Sequence, residues 1–365
     1  MFQTQIKKIL RILTKKEKIY LTFSLIILLI KSILDVLSIG MLVPILNFLV
    51  AEESYEVFNF LPFLKDFSNN EILLLFVMIF ISIYFFKTLF VLFFNRWYAK
   101  FSNILTINIT NRLLHVYLYK KYNYFVTTNP ATILRNLTAE TSIFTTGIIS
   151  QIITIISQLV FIISVCAFLV FYNFYTLYVI LTLASLSYII IKSSNTKFKK
   201  WGDIRQKETN NFIKKLNELI GSIKEIILYN KENFFAEETF KHNRRLADAN
   251  IYRDTSVLYV APLIEFFGIL IFFCFLIILI FFSKLSLDQI IVLFGIFAFA
   301  SIKLMPGIIS IIRSIQMVKF NIPAIKVLED LLDYKNLNLK TEDYNRDKFN
   351  IEKIKFNKVN FKYKN

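Results

Sequence analysis

The sequence predicts an all-α membrane protein: six transmembrane helices with long cytoplasmic extensions, an amphipathic helix at the N-terminus and a single β-strand at the C-terminal end. Three observations predict it. Apolar stretches recur at about 20–50, 72–94, 143–171, 175–191, 257–282 and 290–312, and several reach the roughly 20 residues that cross a bilayer core of about 30 Å. The chain is 56% hydrophobic with 40 Phe, outside the range of soluble domains. Only seven Gly and six Pro occur in 365 residues, which favours helices over loop-rich β structure.

The first 18 residues place Phe2, Ile6, Ile9, Leu10 and Leu13 on one helical face, with Lys7, Lys8 and Arg11 largely opposite. That pattern is a short amphipathic helix lying on the inner membrane surface. Its basic start runs into the first apolar stretch without a cleavage site, as a retained signal anchor does. Pro44 is placed to kink the first span near its outer end. Beyond the second span, Leu105, Ile109, Leu113, Val116 and Tyr117 line one face of a helical extension over 97–120. Beyond the fourth, Phe212, Leu216, Leu219, Ile220, Ile223 and Ile227 do the same over 205–227. An extension of this kind reaches about 36 Å, at about 1.5 Å per residue. Each stalk pair is joined by a short breaker, at 122–137 around Asn129-Pro130 and at 229–240 around Asn230. Residues 333–350 are polar, and 351–363 alternate as a strand does. The expected divisions are therefore 1–18, 19–334, a linker at 335–350 and the start of a second domain at 351–365.

The net charge of +17 is distributed as topology rather than as a nucleic-acid surface. The N-terminal segment, 95–131 and 192–256 are basic; 51–70 is acidic, and the two shortest links are neutral or balanced. This alternation puts both termini in the cytoplasm. Cys166 and Cys274 sit inside apolar stretches, and His115 and His242 are isolated, so no disulfide or metal spacing is present.

Several local stretches carry a family resemblance. LDVLSIGMLVPIL at 34–46 resembles the first span of ABC exporters of the branch that includes bacterial lipid-linked oligosaccharide flippases. The coupling-helix regions of that family are similar to 122–141, YNYFVTTNPATILRNLTAET, and to 221–235, GSIKEIILYNKENFF. The end of the chain, 351–365, resembles the opening strand of an ABC nucleotide-binding domain. The resemblance implies an elbow helix, six spans, a homodimer in the bacterial inner membrane, and ATP with Mg2+ bound by the intact protein. It implies that Tyr122, Phe125, Asn129 and Pro130, and Asn230, Lys231, Glu232 and Phe235, belong to the coupling helices. It also implies that Tyr363 stacks on adenine. The sequence departs from the family at its end: no GxxxxGK[ST], Walker B acid or signature motif occurs, so these residues are not expected to hydrolyse ATP alone. The expectation is that residue 365 stands at the start of the nucleotide-binding domain.

Ionisable residues inside spans are costly and are the best candidates for a transport path. They are Lys31, Asp35, Lys87, Lys192, Glu265 and Lys303. The lysines of spans one, two, four and six are placed to line an inward-open cavity for an anionic head group. The structural alternative pairs Lys31 with Asp35 at i,i+4, lets Lys87 and Lys192 snorkel, and uses Glu265 as a bridge. Gln151 and Gln158 belong to a polar stripe with Ser150, Thr154 and Ser157 that suits either a polar path or helix packing. The leading expectation is the membrane part of an ATP-driven exporter or flippase for a lipid-linked or amphipathic substrate, in contact with membrane lipid and not with nucleic acid. The alternatives are an ATP-independent transporter, which would show internal repeats that are not seen, and a non-catalytic half-subunit paired with a full-length partner.

Overall fold

The computed structural model describes residues 2–45, 69–172, 174, 176–282, 287–332 and 353–360. It divides into two units, Met1–Leu332 and Asp333–Asn365. In the second unit, 353–360 are exposed and carry no helix or strand. A strand needs a neighbour to complete its ladder, and none is provided among the described residues. The linker at 335–350 and Tyr363 lie outside the described residues.

The first unit is helical. Helix α1, Phe2–Ile12, buries Ile9 and Ile12 together with Leu13, while Ile6 and Leu10 remain exposed. Its inner stripe is thus rotated from the expected one and is fastened by Lys8, whose Nζ lies 2.5 Å from Glu329. Helix α2, Lys15–Gly40, begins with a capping box. The Thr14 hydroxyl accepts from the Glu17 N–H at 3.3 Å, and the Glu17 carboxylate accepts from the Thr14 N–H at 2.8 Å. Glu17, the one acid of the N-terminal segment, also holds Arg112 at 3.2 Å. The helix breaks at Met41 and resumes to Ile45. Pro44 has no N–H for the Gly40 carbonyl, so the expected kink is a short interruption.

Helix α3, Asn69–Leu118, runs unbroken for 50 residues. That is about 75 Å, so some 45 Å must lie beyond a bilayer core. The five residues expected to face inward, Leu105, Ile109, Leu113, Val116 and Tyr117, are all buried. Helix α4, Tyr122–Thr127, is a short piece at the tip. Helix α5, Pro130–Arg135, starts with Asn129 as N-cap, its Oδ1 accepting from the Ala131 N–H at 2.8 Å, and with Pro130 in the first turn. A π-turn, Asn136–Glu140, leads into α6, Thr141–Phe144. A second π-turn, Thr145–Ile149, leads into α7, Ser150–Tyr172.

Helix α8, Thr176–Gly221, carries the fourth span and its stalk. The stalk is not continuous to 227: Gly221 and Ser222, both weak helix formers, separate it from α9, Ile223–Leu228. Asn230 then takes φ 52°, a left-handed turn, before α10, Glu232–Leu258. A one-residue break at Tyr259 precedes α11, Val260–Phe282, where Pro262 cannot bond the Leu258 carbonyl. Helix α12, Leu287–Leu332, closes the unit and packs on α7 and α8. Two glycines set that packing. A Cβ on Gly202 would collide with the Phe320 carbonyl, and one on Gly147 would collide with the Asn321 amide. Small residues allow backbones this close. In the gap, Asn321 Nδ2 donates to the Gly147 carbonyl at 3.3 Å, a group freed by the π-turn.

Candidate transport path and coupling elements

Six helical stretches among the described residues are long and apolar enough to cross a membrane: Lys15–Ile45, Asn70–Leu118, Pro130–Phe171, Thr176–Ser193, Glu232–Phe281 and Gln289–Leu332. Within them, three of the expected charges meet. Asp35 and Ser38 lie on one face of α2, Tyr84 and Lys87 on one face of α3, and Phe299 and Lys303 on one face of α12. Lys87 Nζ stands 2.5 Å from Asp35 Oδ1 and donates to Ser38 Oγ at 3.3 Å. The Tyr84 ring takes the Lys87 ammonium at 5.0 Å from its centroid and the Lys303 ammonium at 5.4 Å. Lys303 is also 5.7 Å from the Phe299 centroid. Both contacts fall within cation–π range. Two cations thus share one ring, and Lys87 alone holds the Asp35 carboxylate, leaving surplus positive charge between spans one, two and six.

The i,i+4 pairing of Lys31 with Asp35 is not formed. Asp35 is buried and reaches across to α3, because an interhelical partner is available on its own side of α2. Lys31 is half-buried and has no ion pair among the described residues. Lys192 is exposed and rests over the Tyr188 ring at 5.9 Å, while Glu265 is exposed and bridges to none of the lysines. Among the described residues, Lys31 and Lys192 thus stand apart from the Lys87–Tyr84–Lys303 contacts. In the polar stripe, Ser150 bonds to Ser102 at 3.2 Å and accepts through its carbonyl from Tyr98 Oη at 3.0 Å. Gln158 packs against Gly307, and Gln151 bonds weakly to the Thr146 carbonyl at 3.5 Å. Ser150 and Gln158 thus contact neighbouring helices.

The tips are distinct in chemistry. Tyr122, Phe125 and Val126 of α4 are exposed, as are Ile227, Leu228, Tyr229 and Phe234 around the second break. Asn230, Lys231, Glu232 and Phe235 sit at that break, the first three of them exposed. Exposed apolar patches on a helical stalk are a mark of an interaction surface.

Between tips and membrane lies a charged group that composition did not reveal. Glu140 is 1% exposed, Arg135 7% and Arg205 6%. Arg135 Nε is 3.7 Å from Glu140 Oε1, and Arg135 Nη2 donates to Asn136 Oδ1 at 3.0 Å. Asn136 in turn donates to the Tyr117 hydroxyl at 2.9 Å. Burial pushes the Arg205 guanidinium below its usual range, and the Glu140 charge pulls it back. Arg205 and Arg253 both lie over the Phe320 ring, at 5.6 and 5.3 Å from its centroid. The signal was present in the sequence: Glu140 is the one acid between Glu71 and Asp203.

Six long apolar helices, two of them extended into long rods, define a multi-pass membrane protein. The family model described as the ABC transporter transmembrane region matches residues 21–302, and the chain belongs to that family. Membership implies pairing with a nucleotide-binding domain. 

Proposed function

We propose that this chain is the membrane part of an ATP-driven exporter or flippase that works as a homodimer in a bacterial inner membrane, with both termini cytoplasmic. Its substrate is lipid-linked or amphipathic and carries an anionic head group. The observation that carries the reading is the pairing of two exposed apolar tips, at α4 and at 228–234, with rods that run to the Lys87–Tyr84–Lys303 cluster. A nucleotide-binding domain gripping both tips would move the rods as levers and change which side of the membrane the cluster faces. Lys303 is the best candidate to meet the head group, because Asp35 already occupies Lys87.

ATP and Mg2+ do not fit the residues described. All seven glycines lie in helices, and none forms a loop that cradles phosphate. The nucleotide is therefore assigned to the partner domain, and no step at ATP is assigned to this chain. 

The test is the protein together with a nucleotide-binding domain, reconstituted in proteoliposomes. ATP-dependent translocation of a fluorescent lipid-linked pyrophosphate saccharide is expected. Phe125→Ala combined with Tyr229→Ala should keep basal ATPase and abolish its stimulation by substrate. Translocation without ATP would sink the reading and favour an ATP-independent transporter. If Lys31→Ala with Lys303→Ala leaves transport and stimulated ATPase intact, the cationic path is wrong.

A further inference from the structure

A groove of about 750 Å³ lies between α1, α7, α8 and α12, away from the Tyr84 cluster. Its volume is that of a small-ligand site. Its walls are apolar, with Ile6, Ile155, Val318 and Ile322 among them, and its cations are Lys199 and Lys319. The two lysines come from different helices yet stand at one depth. Lys199 is eight residues past the end of the fourth apolar stretch at 191, about 12 Å. Lys319 is seven residues past the last apolar stretch at 312, about 10 Å. That is the level of the head groups, while Leu159, at the other end of the groove, lies within the third span. Neither lysine has an ion pair or hydrogen bond among the described residues, not even with Asp203 one turn along α8. Three acids of the neighbouring elements are engaged elsewhere: Glu329 with Lys8, Glu17 with Arg112, Glu140 with Arg135.

We propose that this groove holds an anionic phospholipid of the leaflet on the stalk side, an acyl chain along the apolar wall and the phosphate between Lys199 and Lys319. The lipid is a resident of α1 and the stalks rather than cargo, so the proposal is independent of how transport is driven. Charge complementarity selects the occupant: an apolar slot closed at head-group depth by two unpaired cations matches a chain ending in a phosphate diester.

The test uses full-length protein in nanodiscs of mixed phosphatidylglycerol and phosphatidylcholine, extracted in mild detergent and read by native mass spectrometry. One phosphatidylglycerol per protomer should survive extraction. Lys199→Ala with Lys319→Ala should weaken its retention about twenty-five-fold, from roughly a fivefold effect of each charge. Lys199→Arg with Lys319→Arg should retain it, and Ile155→Trp should expel it by filling the groove without altering charge. If the double alanine variant does not fold, the arginine and tryptophan variants decide the matter. Equal retention of phosphatidylcholine, or unchanged retention in the Ile155→Trp variant, overturns the proposal. So does efficient disulfide cross-linking between two copies carrying Ile6→Cys, which would show a second copy of the chain over the groove.

Discussion

Replacing Glu140 with alanine removes the counter-charge from two arginines that are each more than nine-tenths buried. Arg135 has one hydrogen bond, to Asn136, and Arg205 rests on the Phe320 ring. Neither replaces a carboxylate. Breaking a buried ion pair from one side costs about 3–5 kcal/mol, since the remaining charge stays desolvated. At about 2 °C per kcal/mol, the low end for large domains, the melting temperature should fall by roughly 6–10 °C. The assay is scanning fluorimetry of the full-length protein in nanodiscs at one fixed scan rate, because such unfolding is rate-controlled. Glu140→Gln, which keeps shape and loses charge, should show most of the loss. Glu140→Leu combined with Arg135→Leu should recover at least half of it, as apolar replacement of a buried pair is often neutral. Melting of Glu140→Gln within about 2 °C of the parent, or strict additivity of Glu140→Ala and Arg205→Ala, would refute an electrostatic role.

Three further outcomes are expected. Gly202→Ala should destabilise by about 1–3 kcal/mol, since its Cβ meets the Phe320 backbone rather than a movable side chain; Gly221→Ala, with open space around it, should be neutral or stabilise by up to about 1 kcal/mol. Paired thermal melts of the two variants check this. Asp35→Ala should cost more than Asp35→Leu with Lys87→Met, read as a positive coupling in a double-mutant cycle. Asn230→Gly should leave the melt within about 0.5 kcal/mol, whereas Asn230→Val should lose about 1–2 kcal/mol, because φ 52° penalises a β-branched side chain.

The coarse fold was legible because membrane helices announce themselves. The bilayer demands long apolar runs with their hydrogen bonds made internally, so the six spans follow from composition alone. The inward face of α3 was legible for the same reason: Leu105, Ile109 and Leu113 repeat at helical spacing and all are buried. Breakers were legible where Pro or Asn dictates local geometry, as at Asn129-Pro130 and Asn230. The break at Ser222 was not, since Gly and Ser only weaken a helix and tertiary contacts decide whether it survives.

Charges were the hardest to read. Spacing alone makes Lys31 the natural partner of Asp35, yet a partner one helix away at 2.5 Å takes its place. Sequence proximity limits which groups are able to meet along one helix. It says nothing about which face of that helix meets another. The same limit hid Glu140 between Arg135 and Arg205, and it hid Tyr84 beneath two ammonium groups. Periodicity and hydropathy by themselves determined the six spans, the inward face of the α3 stalk and the turns at Asn129-Pro130 and Asn230. Only the tertiary structure decided which charges are paired and which glycines let α12 approach, because those depend on the rotation of each helix about its axis, which packing against neighbours sets.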